Sequence, residues 1–166
     1  IELDRKAVEN CLKQNLNVLN ISIEDYLAVC REKYDIIVMS HVLEHILKPG
    51  EELLKLRGIL AENGKLIIIV PNSLSMTAKL FGKYWGYWQV PVHVNHFNRC
   101  SIEQLLKDSR YEMVHVEYAG GDSLLFLSTL VNMLGIKADE DSDMGKLKKM
   151  IIKANSFLLK YWYGIG

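Results

Sequence analysis

The sequence has no net charge, since Lys plus Arg and Asp plus Glu both number 20. A surface without an excess of either sign builds no field that gathers polyanions, which argues against nucleic acid as a partner. Cysteine is scarce as well. Cys11, Cys30 and Cys100 are odd in number and form no C-x-x-C pair, so neither a disulfide framework nor a cysteine-rich zinc site has support, and reduced thiols of a cytoplasmic protein are expected. Long apolar runs are missing too. The longest, Leu124 to Leu134, is broken by Ser128, Thr129 and Asn132 and falls short of the roughly 20 residues a membrane span needs. Finally, Ile1 stands where an initiator Met would, and "IELD" reads as the end of a strand. A further segment is therefore expected upstream.

What is present is the material of one globular domain: 166 residues with an apolar fraction of 49%, enough to cover a core. The elements alternate. Ile1 to Leu3 reads as a strand end. Arg5 to Asn15 has Ala7, Val8, Cys11 and Leu12 at helical spacing, with Asp4 placed to cap it. Asn17 to Ile21 reads as a short strand and Ile23 to Glu32 as a helix. Ile36 to Met39 and Leu66 to Val70 are continuous apolar runs, the pattern of parallel strands buried on both faces. Between them Pro49 opens a helix that Asn63-Gly64 is expected to end. Ser101 and Gln104 are spaced for a capping box at the start of another helix, and Glu112 to Tyr118 alternates as a late strand. Strands and helices in this order imply an α/β fold with a doubly wound, mostly parallel sheet.

One short motif pulls the other way. His41-Val42-Leu43-Glu44-His45 spells H-x-x-E-H, the pattern of a class of zinc peptidases. Zinc ligands in that pattern project from one face of a sustained helix. Here His41 comes directly off a buried strand, and Lys48-Pro49-Gly50 follows closely. The zinc hydrolase reading is the remote one, and no metal is expected.

The surrounding stretch "YDIIVMSHVLEHILKPGEELLKLRGILAENGKLIIIVPN" resembles the fourth and fifth strands and intervening helix of class I S-adenosylmethionine-dependent methyltransferases. The likeness is to the small-molecule branch that includes ubiquinone-pathway and sugar methyltransferases. "VPVHVNHFNRCSIEQLLKDSRYEMVHVEYAG" is similar to the segment that follows in that branch. The resemblance runs from Ile1 to about Gly121 and implies a Rossmann-like core over residues 1–121, with residues 122–166 as a helical insertion near the C-terminus.

The same resemblance implies S-adenosylmethionine as cofactor. Glu2 and Leu3 then lie at the end of the second strand, where a carboxylate accepts ribose hydroxyls. Ser22 and Ile23 occupy the place after the third strand that faces adenine, although the family's acidic residue is not there. Ser40 and His41 border the methionine part. The family's G-x-G-x-G loop occurs nowhere in the 166 residues, so these residues alone are expected to bind the cofactor weakly. A catalytically incomplete binding or assembly module is the alternative to an enzyme.

Methyl transfer needs alignment and removal of the acceptor's proton. His93 and His96, in "PVHVNHF", are the expected bases, with ordering of the loop by hydrogen bonds to backbone as the competing role. Asn72, Trp85, Tyr87 and Trp88 are expected at a small-molecule acceptor carrying a hydroxyl or amine, Trp85, Tyr87 and Trp88 lying in an aromatic-rich segment that also suits an ordered flap. Within 146–163, Leu147, Met150, Ile151, Ala154, Phe157, Leu158 and Tyr161 form an apolar stripe beside Lys148, Lys149, Lys153 and Lys160. Such a helix suits packing on its own domain, a homodimer contact, or peripheral contact with a membrane.

Overall fold

A computed structural model of the chain describes residues 1–118. The expected insertion over residues 122–166, with its basic amphipathic stripe, lies outside the described residues. The chain divides into two units, one of Ile1–Val70 with Ser101–Met113 and one of Pro71–Cys100 with Val114–Gly166. Among the described residues, no helix is long and apolar enough to cross a membrane.

The first unit is built on two strands, β1 (Tyr34–Ser40) and β2 (Leu60–Ile69), which pair in parallel. Parallel neighbours need a crossover, and this one carries helix α3 (Pro49–Arg57), which starts at Pro49 as expected. The register runs from Ile36 opposite Lys65 to Ser40 opposite Ile69, but Tyr34 lies opposite Leu60. The residues between Leu60 and Lys65 therefore form an irregularity in the ladder. Asn63-Gly64 serves this irregularity rather than ending α3, which stops at Arg57 because Tyr34 N–H already bonds Ile59 C=O at 2.8 Å. A methyl group on Gly64 would sit 2.8 Å from the Tyr34 carbonyl oxygen and 2.9 Å from Leu60 Cγ, so the two strands meet here without room for a side chain.

The two helices that precede β1 start where local capping places them. In α1 (Arg5–Lys13) the Asp4 carboxylate accepts Lys6 N–H, and in α2 (Ile23–Val29) Ser22 Oγ accepts Asp25 N–H. The connecting segment 17–21 is not a strand. Glu2 N–H does bond Leu19 C=O at 3.0 Å, but Asn20 Nδ2 takes the Glu2 and Leu3 carbonyls at 2.8 and 3.1 Å. A side-chain amide thus fills the acceptors that a strand ladder needs, and Ile1–Leu3 stays irregular for the same reason. Helix α5 (Arg99–Asp108) begins two residues before Ser101, and Gln104 reaches forward to Asp108 at 2.8 Å instead of back, so the expected capping box is not formed. Glu112 to Tyr118 is also not a strand, and Val114 is 80% exposed, with no sheet among the described residues to alternate against.

The core of this unit gathers Val8, Met39, Leu43, Leu53, Leu56 and Ile59. Tyr111 Oη ties back to Leu53 C=O at 3.0 Å, and burial raises its hydroxyl pKa. The sheet is buried on one face only, which corrects the expectation of cover on both. Ile36, Val38, Ile67 and Ile69 share the other face and stay 44–59% exposed. With two strands formed among the described residues, helical cover lies on the Met39 side alone.

Two substitutions test this core. Leu53→Ala removes a fully buried side chain and is expected to cost about 2–5 kcal/mol. Gly64→Ala forces a methyl into the ladder and is expected to cost about 1–3 kcal/mol. Urea unfolding followed by circular dichroism measures both, and unchanged midpoints would contradict the packing described.

Candidate functional site

Parallel α/β sheets take ligands outside the carboxyl ends of their strands. At that end of the first unit β1 hands over to Ser40 and His41. His41 N–H bonds Ile69 C=O at 2.9 Å, the last rung between the two strands. Its backbone then turns into the left-handed region, with φ of 52°. This turn sends the ring back over the following residues, and Nδ1 lies 3.2 Å from Glu44 Oε1. Leu43–His45 is a single 3₁₀ turn. His41 therefore precedes the turn and shares no sustained helix with His45, which is not the arrangement a zinc peptidase uses.

Glu44 is the residue that sequence reasoning left without a role in the methyltransferase reading. It is 1% exposed, and its second oxygen, Oε2, meets no hydrogen-bond partner. The H-x-x-E-H spelling drew attention to it only as part of a zinc pattern, and an acid directly after Val42-Leu43 was the other signal.

The residues expected at the ribose and adenine lie in the irregular segments on either side of α1. Glu2 Oε1 accepts Asp4 N–H at 2.8 Å, leaving its other oxygen for a hydroxyl. Leu3 is exposed, and its carbonyl is held by Asn20. Ser22 is committed to α2: Oγ accepts Asp25 N–H at 3.0 Å and donates to Asp25 Oδ2 at 2.7 Å. Ile23 follows as the first helical residue and is half-buried. An open cleft of about 480 Å³ lined by Tyr26, Cys30, Arg31 and Tyr34 lies at the amino end of β1, opposite the ligand end. There Tyr34 Oη bonds Tyr26 Oη and Glu32 Oε2, and those two bonds raise its pKa well above the ordinary tyrosine value.

In the second unit the chain turns at Asn72, whose Oδ1 accepts Leu74 N–H at 3.0 Å, while Ser73 N–H bonds Phe97 C=O at 2.7 Å. Helix α4 (Met76–Phe81), capped by Ser75, falls in the segment read only as aromatic. Beyond it the rings knit to one another. Trp85, 2% exposed, meets Tyr87 and Trp88 edge-on with centroids 5.6 and 5.1 Å apart. Trp88 Nε1–H donates to Gly82 C=O at 2.7 Å, whereas Trp85 Nε1 is buried with no partner. His93, buried, donates from Nδ1 to Tyr87 C=O at 2.7 Å, and His96 donates from Nε2 to Trp88 C=O at 2.9 Å. A carbonyl only accepts, so these bonds fix which nitrogen of each neutral ring carries the proton. Both histidines thus order the aromatic segment.

A parallel strand–helix–strand unit with polar side chains at its carboxyl end is one that a Rossmann-like α/β fold contains. Residues 4–116 match the family model described as a methyltransferase domain. The chain belongs to that methyltransferase family. No curated protein matches it significantly.

His93→Ala removes a buried ring and the donor to the half-buried Tyr87 carbonyl and should lower stability by about 1–3 kcal/mol, with a red-shifted tryptophan emission as the Trp85–Trp88 packing loosens. An unchanged emission spectrum and midpoint would show that this bond does not order the segment.

Proposed function

We propose that the protein transfers a methyl group from S-adenosylmethionine to a hydroxyl or amine of a small-molecule acceptor, on a doubly wound sheet of which β1 and β2 are one part. The observation that carries this reading is the family match, which spans α1 through α5. The cofactor supplies the methyl as an activated sulfonium, so the protein's work is to bind, align and accept a proton.

The donor set fits such a cofactor at two places. Glu2 keeps one carboxylate oxygen beyond its bond to Asp4 N–H, and that oxygen is suited to a ribose hydroxyl. Ser40 and His41 stand at the open end of β1, beside the last rung to Ile69, where the methionine part would lie. Ser22 is spent on its helix cap, which leaves Ile23 as the residue for adenine. On the acceptor side, Asn72, Tyr87 and Trp88 would supply a polar group and two half-buried rings, with buried Trp85 packed edge-on behind them, features that favour a planar or sugar-like acceptor. His93 or His96 would take the acceptor's proton.

Cofactor binding tests the reading. In a protein that carries this chain behind a glycine-rich loop, Glu2→Ala removes a charge-assisted bond worth roughly 1.5–3 kcal/mol, so affinity for S-adenosylhomocysteine should fall about ten- to a hundredfold. Calorimetric titration measures it. Equal affinity of the variant would displace the ribose from Glu2, and no binding by the parent would remove the methyltransferase reading.

A further inference from the structure

We propose that helix α4 and the residues beside it, 74–84, form a peripheral docking surface for a bilayer that contains anionic lipid. The inference goes beyond methyl transfer and does not depend on it. Three observations carry it.

The first is an apolar face turned outward. Helix α4 is capped by Ser75 and buries Ala78. Met76 and Leu80 stand one helical turn apart on the other side and are 84% and 74% exposed, and Leu74, just before the helix, is 56% exposed. Apolar side chains exposed singly are ordinary, but a cluster of them on a helix whose opposite side is buried marks an interaction surface.

The second is charge. The whole chain balances 20 acidic against 20 basic residues, yet no Asp or Glu occurs from Asn63 to Ile102. Lys79 and Lys83 fall within that stretch and are exposed. At 3.6 residues per turn, Lys79 shares the outward side of α4 with Met76 and Leu80. Lys83 follows in the 3₁₀ turn Gly82–Tyr84, with its ammonium 5.1 Å from the centroid of the Tyr84 ring. Among the described residues, neither lysine has a carboxylate partner.

The third is what such a combination fits. A second copy seated on this face by two-fold symmetry would set lysines against lysines. Nucleic acid would take the lysines but offers no apolar layer for Met76 and Leu80. An anionic bilayer supplies both, with phosphate groups for the ammonium groups and acyl chains beneath them for the apolar side chains. The stems of Lys79 and Lys83 let their charges stay among the headgroups while Met76 and Leu80 enter the acyl boundary. With a helix of six residues, the contact is shallow and reversible.

Flotation of the 166-residue chain on vesicles tests the proposal. The probes are vesicles of phosphatidylcholine alone and of phosphatidylcholine with about a quarter phosphatidylglycerol. The chain should float with the anionic vesicles, and less so as salt rises. Lys79→Gln with Lys83→Gln should weaken binding about fivefold per charge, and Met76→Gln with Leu80→Gln about tenfold or more. Hydrogen exchange of the wild-type chain decides even if a variant fails to fold: the amides of residues 76–84 should gain protection on anionic vesicles. Failure to bind them, or equal binding to both kinds of vesicle, would overturn the proposal. Binding unchanged by both double variants, or protection confined to other residues, would overturn it by placing the contact elsewhere. Self-association in sedimentation without vesicles, abolished by Met76→Gln with Leu80→Gln, would give the face to a second copy and overturn it as well.

Discussion

The parallel pairing of β1 with β2 is the constraint on which the described structure depends. Parallel strands cannot be joined by a tight turn, so the pairing itself requires the crossover that α3 provides. It places Leu53 and Leu56 where they are buried. It also determines where β1 ends, because the bond from His41 N–H to Ile69 is the final rung and the chain beyond it is released from the ladder. The turn at His41, the 3₁₀ turn and the burial of Glu44 all follow that release.

Much of this was legible in the sequence where the signal is local or unbroken. The runs Ile36–Met39 and Leu66–Val70 read as parallel strands because apolar residues are continuous in them, and Asp4, Ser22 and Pro49 announce helix starts because capping is decided within three or four residues. What was not legible depends on partners distant in sequence. Asn20 stops residues 17–21 from forming a ladder by bonding residues far upstream. Asn63-Gly64 has the letters of a helix stop but serves a strand irregularity, because Tyr34 sits against it. Continuous apolarity also overstated burial, since it records what a strand can tolerate on both faces, not what covers them.

The candidate site shows the same division. Its histidines and aromatic residues are visible as letters, but their roles are set by contacts. His93 and His96 spend a nitrogen on backbone carbonyls, and Ser22 spends its hydroxyl on a helix cap. Glu44 stands in the H-x-x-E-H spelling, but that pattern says nothing of its burial. Its pairing appears only when the left-handed residue at 41 folds an imidazole over it.

The irregularity in β2 also bears on how the length of this chain can vary. From Lys65 to Ile69 each residue is locked opposite one of β1, and side chains alternate between faces. One residue inserted there would send Leu66 and Ile68 to the open face and turn Ile67 and Ile69 inward. Between Leu60 and Lys65 no such lock exists, because the residues there have no opposite number in the register. Insertions or deletions at Ala61 to Asn63 can change the span of the irregular stretch while every later pair keeps its partner. The strand therefore contains its own length buffer, upstream of the segment whose alternation the core reads.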